Sequence, residues 1–142
     1  YDAVEFLIGI DSLRNCSGAQ VGALDPANGM FWSWNSGYIF MMFEGNSPQS
    51  TAAGNTLIFH CGGYKDPSNN IKKVTLTFNG AKATVRNNIS PEIHFIVDLN
   101  EIFSNPNTIN FATLNTAHMP MACMPIAANY ANMIRVDHVH ND

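Results

Sequence analysis

Between positions 118 and 124 the chain places His118, Met119, Met121, Cys123 and Met124 within seven residues. Imidazole, thioether and thiolate are the donors that copper(I) favours, whereas copper(II) prefers imidazole together with oxygen. Pro120 and Pro125 are expected to keep most of this stretch out of regular structure and to hold its side chains in a fixed loop. The competing reading is packing, with the three methionines filling an irregular core edge as flexible thioethers often do. Near the end of the sequence His138 and His140 stand two apart on an expected strand, so their side chains leave one face about 7 Å apart and can converge on one ion. A polar, solvent-facing chain end is the plain alternative. His60 follows Leu57-Ile58-Phe59 and precedes Cys61-Gly62-Gly63, where permissive backbone lets a ligand approach closely. A satisfied buried histidine reads equally well there. The candidate metal ligands are thus His60, His118, Met121, Cys123, His138 and His140, while His94, between Ile93 and Phe95, reads as structural or exposed.

Trp32 and Trp34 share a face if their segment is a strand, and such pairs are usually core because each ring buries a large apolar area. Exposed together with Tyr38, they would instead form a stacking platform for a sugar. Asp11, Asp25 and Asn28 can offer oxygens to calcium, yet Asp25-Pro26-Ala27-Asn28-Gly29 is more simply a turn. Cys16, Cys61 and Cys123 are an odd number without CxxC spacing, which excludes the usual zinc knuckle and leaves room for one disulfide or for three small buried side chains. Catalytic patterns are missing: no Gly-rich phosphate loop, no HExxH and no G-x-S-x-G. His60 and Cys61 are neighbours on a strand and point to opposite faces, so they do not make a dyad. The chain reads as a binding protein, not an enzyme.

The elements that must carry these residues are mostly strands. Apolar or alternating runs at 4–10, 32–43, 56–60, 71–78, 92–99 and 133–140 are short and rich in β-branched and aromatic residues. Asn79-Gly80 between 74–78 and 81–85 is the strongest hairpin signal, because both residues tolerate the positive φ of a type I′ turn. One helix is expected within 122–133, starting near Pro125, and residues 47–55 read as an exposed loop. This pattern predicts a mainly-β fold, an antiparallel β-sandwich of immunoglobulin or cupredoxin type with one short helix near the C-terminus. With 142 residues, 46% of them hydrophobic, there is material for one core and one domain, residues 1–142. A net charge of −4 with no basic run excludes the footprint of a nucleic-acid or anionic-membrane binder. No apolar stretch approaches the roughly 20 residues of a membrane span, so a soluble chain is expected.

Several segments together resemble the MbnP-like family, which takes its name from a methanobactin-associated periplasmic copper protein. They are 25–38, Ile8-Gly9-Ile10-Asp11-Ser12, Phe43-Glu44-Gly45, Phe59-His60-Cys61-Gly62-Gly63, Ala128-Asn129-Tyr130-Ala131-Asn132-Met133 and His138-Val139-His140-Asn141, in the family's order over nearly the whole chain. The resemblance implies a β-sandwich, export to the periplasm or cell surface, and copper binding for storage, delivery or scavenging. It also implies that one tryptophan, Trp34 in preference to Trp32, is a candidate for oxidation to kynurenine by a partner haem peroxidase, giving a nitrogen ligand for copper. Family members carry further N-terminal strands, so this chain is expected to lack them, and a second chain or subunit would then cover the exposed sheet edges. A cell-surface adhesion or carbohydrate-binding module without metal is the alternative reading.

Overall fold

A computed structural model describes residues 1–33 and 35–142. The chain runs β1 (Ala3–Ile8), α1 (Ser12–Cys16), β2 (Phe31–Ser33), β3 (Gly37–Asn46), β4 (Thr56–Gly62), β5 (Lys72–Thr77), β6 (Glu92–Val97), α2 (Glu101–Ser104), β7 (Thr116–Ala117), α3 (Pro120–Tyr130) and β8 (Ile134–His140). The fold is mainly strand, as the sequence predicts, and its sheets are open: β1 pairs with β5, β2-β3-β4-β7 form a four-stranded sheet, and β6 pairs with β8. All pairings are antiparallel except that of β4 with β7, which is parallel. No helix among the described residues is long and apolar enough to cross a membrane.

β4 organises the core. Its alternation turns Leu57, Phe59 and Cys61 inward, where they pack against Cys123, Ile126, Ala127 and Tyr130 of α3. Phe103 and Phe111 close this core edge-on to each other, with centroids 5.1 Å apart, and Phe43 meets Phe103 at 5.0 Å. α3 begins at Pro120, one turn earlier than expected. Proline at the first helical position gives up no hydrogen bond and comes with a suitable φ, so Pro120 starts the helix where a fixed loop was expected. Pro125 then sits inside it.

Two sequence expectations meet non-local competition. Asn79 (φ 54°) and Gly80 (φ 92°) do form the tight turn, closed by Ala81 N–H donating to Phe78 O at 2.9 Å. Residues 81–85 nevertheless form no strand on β5, whose ladder is taken by β1. They are caught instead by the first residue: Ala83 N–H donates to Tyr1 O, and the Tyr1 amino group to Ala83 O, both at 2.9 Å. β8 carries a bulge, because His94 faces His138 while Phe95 faces Val136, leaving Asp137 as the extra residue. The bulge reverses the alternation, so Val139 lies on the half-buried side with Ile134 and Val136, not opposite them as strict alternation predicts.

Three buried asparagines fasten elements that lack a shared ladder. Asn15 accepts from Tyr38 N–H at 3.0 Å, Asn129 donates to Ile102 O and Asn107 O, and Asn70 donates from Nδ2 to Gly62 O and Pro120 O, both at 2.7 Å. Asn70 therefore ties the end of β4 to the start of α3. Asn70→Ala would take this partner from the buried Gly62 carbonyl and from the half-buried Pro120 carbonyl, and the expected loss is about 1–3 kcal/mol of unfolding free energy, read from urea denaturation. A loss below about 0.5 kcal/mol would show that this clamp contributes little.

Candidate metal centre

The parallel pairing of Phe59 with Ala117 sets the geometry. Residues at matching positions of a parallel pair point to the same side, so one step further His60 and His118 emerge together on the outer face. Their rings meet edge-on with centroids 5.1 Å apart. Across the other edge of β4, Met42 stands directly opposite His60 and is 41% exposed. Glu44 lies two residues along the same face, and its Oε1 is 2.6 Å from His60 Nε2. A carboxylate accepting the Nε2 proton leaves the Nδ1 lone pair of that ring for a metal, a common outer-sphere arrangement for ligating histidines. Two imidazoles, a thioether and a carboxylate thus share one surface. Met42 and Glu44 are absent from the sequence-derived ligand set, since their place depends on β3–β4 register. The clue was the alternation Phe40, Met42, Glu44 along β3.

His118 also lines a cleft of about 510 Å³, together with Trp32, Tyr64, Lys65, Asp66 and Met119. The Gly62-Gly63 backbone is close to other groups here, though protein fills the space expected for a ligand. A Cβ on Gly62 would come within 2.8 Å of the Trp32 ring, and one on Gly63 within 2.6 Å of Pro120. Trp32 therefore leans on β4 beside His118 and is half-buried. Trp34, the preferred candidate for oxidation, lies outside the described residues.

The remaining candidates sit elsewhere. Met121 is 65% exposed on the first turn of α3. Cys61 and Cys123 are buried in the core, on the other side of β4 from the His60 ring, and Cys123 Sγ lies 3.7 Å from His60 O and 3.8 Å from Ala117 O. A hydrogen bond with Cys123, followed by burial, pushes the Cys61 thiol well above the usual range and keeps it protonated. Burial likewise raises Tyr130, whose hydroxyl donates to Asn70 O. All three cysteines are free thiols. Asp11 caps α1 by accepting Arg14 N–H at 3.0 Å, and Asp25 accepts Ala27 N–H at 2.9 Å, the turn expected at residues 25–29. His138 and His140 lie on β8, in a different sheet from His60, and there they meet His94.

The burial pattern makes a chemical prediction. In folded protein at mildly alkaline pH, a thiol alkylating agent should label the exposed Cys16 readily and leave Cys61 and Cys123 untouched until denaturant is added. Mass spectrometry of labelled peptides reads this directly, and rapid labelling of Cys61 in the native state would contradict the packing described.

Comparison with known proteins gives one match: the family model described as MbnP covers residues 1–125. No curated protein and no solved structure matches the chain.

Proposed function

Because this chain belongs to the MbnP family, we propose that it is an exported, non-catalytic copper-binding protein that holds its cargo where His60 and His118 meet. The observation that carries this reading is the meeting of those two rings at 5.1 Å on a face that also bears Met42 and Glu44. Imidazole plus thioether favours copper(I), with Glu44 orienting the His60 ring from outside the ligand set. Trp34, which the resemblance favours, and Trp32, beside His118 at the cleft, are the two rings that a haem peroxidase partner would have for making kynurenine. An antiparallel β-sandwich in the periplasm or at the cell surface belongs to the same reading.

The test is a copper(I) titration of the full chain against a chromophoric chelator. One tight equivalent is expected, weakened about 10-fold or more in His60→Ala and in His118→Ala, with Met121→Leu binding like the parent. Equal affinity in both histidine variants would remove this face from consideration. The cleft favours one second reading in reduced form: Tyr38 is buried and drops out of the expected stacking platform, while half-buried Trp32 beside Lys65 and Asp66 lines a cleft of about 510 Å³ that can stack and hydrogen-bond a sugar ring. Glycan binding lost in Trp32→Ala, with no copper bound at His60 and His118, would support that alternative.

A further inference from the structure

The sequence pairs His138 with His140, and the fold adds a third imidazole. His94 on β6 is the cross-strand partner of His138 on β8. Its ring stacks on that of His138 with centroids 4.3 Å apart and planes 10° from parallel, while His140 stands edge-on to both, at 5.1 and 4.6 Å. One ring nitrogen from each histidine can be chosen so that all three lie within 4.8 Å of one another. The bulge at Asp137 contributes to this. It shifts the alternation so that the half-buried Val136 and Val139 face the protein, while His138 and His140 face solvent on one side.

Hydrogen bonding at the cluster favours a cation. Asp137 Oδ2 is 2.8 Å from His138 Nδ1, so the carboxylate accepts the Nδ1 proton and leaves the Nε2 lone pair pointing outward. That Nε2 faces His140 Nε2 at 2.9 Å. Neighbouring ligands on an ion with nitrogen bonds of about 2.0–2.1 Å stand about 2.9–3.4 Å apart, so the spacing is already that of two coordinated imidazoles. Glu92, opposite His140 in the register, places Oε2 3.7 Å from His94 Nε2. With Asp137 it supplies negative charge to offset a divalent ion. The bland account is an exposed stack of aromatic rings bridged by one N–H···N bond. It explains the 2.9 Å contact and the stacking by register alone; a shared ion requires the exposed His94 ring to turn out of its stack so that a nitrogen points at the ion between the two carboxylates.

We propose that His94, His138 and His140 form a second metal site, for a divalent first-row transition ion, separate from the face of His60 and His118. Three imidazoles with carboxylates nearby and no sulfur make a borderline, nitrogen-rich donor set, for which copper(II) binds tightest and zinc and nickel follow. The site draws on β6 and β8 alone, and two of its three ligands lie beyond residues 1–125, the part matched by the family model. It therefore stands or falls independently of the copper reading of the other face.

The experiment uses the full-length chain carrying His60→Ala and His118→Ala, which isolates this cluster. Calorimetric titration with zinc(II), and with copper(II) followed by electron paramagnetic resonance, should find one equivalent of each, with nitrogen hyperfine structure in the copper spectrum. His94→Gln should weaken binding about 10- to 100-fold, and adding His138→Gln and His140→Gln should abolish it. Because all three side chains are exposed, the single and triple variants should retain the parent's circular dichroism. Zinc and copper binding unchanged in the His94→Gln variant, or absent from the parent, overturns the proposal.

Discussion

Two residues of parallel strand pairing hold this structure's chemistry together. Ile58 with Thr116 and Phe59 with Ala117 are the whole of the β4–β7 ladder, and it delivers His118 to the side of His60. So short a ladder is weak by itself, since strand pairs gain most of their stability from side-chain packing and length. Here packing and a clamp just past its end reinforce it. Phe59 and Ala117 are buried in the main core, and immediately beyond them Asn70 joins Gly62 to Pro120. The clamp thereby fixes the first residue of α3 against the end of β4.

Alternation along β4 then divides the chemistry by face. Phe59 and Cys61 turn inward and His60 turns outward, so sulfur and imidazole that are adjacent in sequence are separated in space. The thiols of Cys61 and Cys123 end in an apolar interior against Tyr130, where burial and their mutual contact keep Cys61 protonated. Both side chains are fully buried on the face away from His60, so that pair acts as packing. The soft donor at the outer face is the thioether of Met42, contributed by β3. The β6–β8 sheet repeats the outward display with imidazoles alone, and its bulge at Asp137 re-aims the side chains much as bulges do beside functional sites in other sheets.

Much of the strand content was legible because alternation and β-branched or aromatic residues are local signals. The runs at 56–60, 71–78 and 92–99 fall on β4, β5 and β6. The Asn79-Gly80 turn was legible for the same reason, and its geometry is as expected. Its consequence was not, since the partner of β5 is decided by competition with β1 from the far end of the sequence. The imidazole neighbours show the same limit. His138 and His140 could be paired by counting residues, and His60 and His118 could be named separately. That His94 joins the first pair, and that the second pair touches at all, depends on strand registers that no local pattern encodes. Met121 was drawn in by its proximity in sequence to His118. Helix α3 turns it out to solvent, whereas Met42, distant in sequence, stands across from His60.

The central claim is spatial: the β4–β7 register makes one copper-binding face out of His60 and His118. Anomalous diffraction at the copper edge, on crystals of the full chain loaded with copper(I), tests it most directly. The account predicts a strong anomalous peak on the outer face of the four-stranded sheet, within bonding distance of an imidazole nitrogen from each of those residues. A fully loaded crystal whose copper lies elsewhere, with both rings bare, would contradict it.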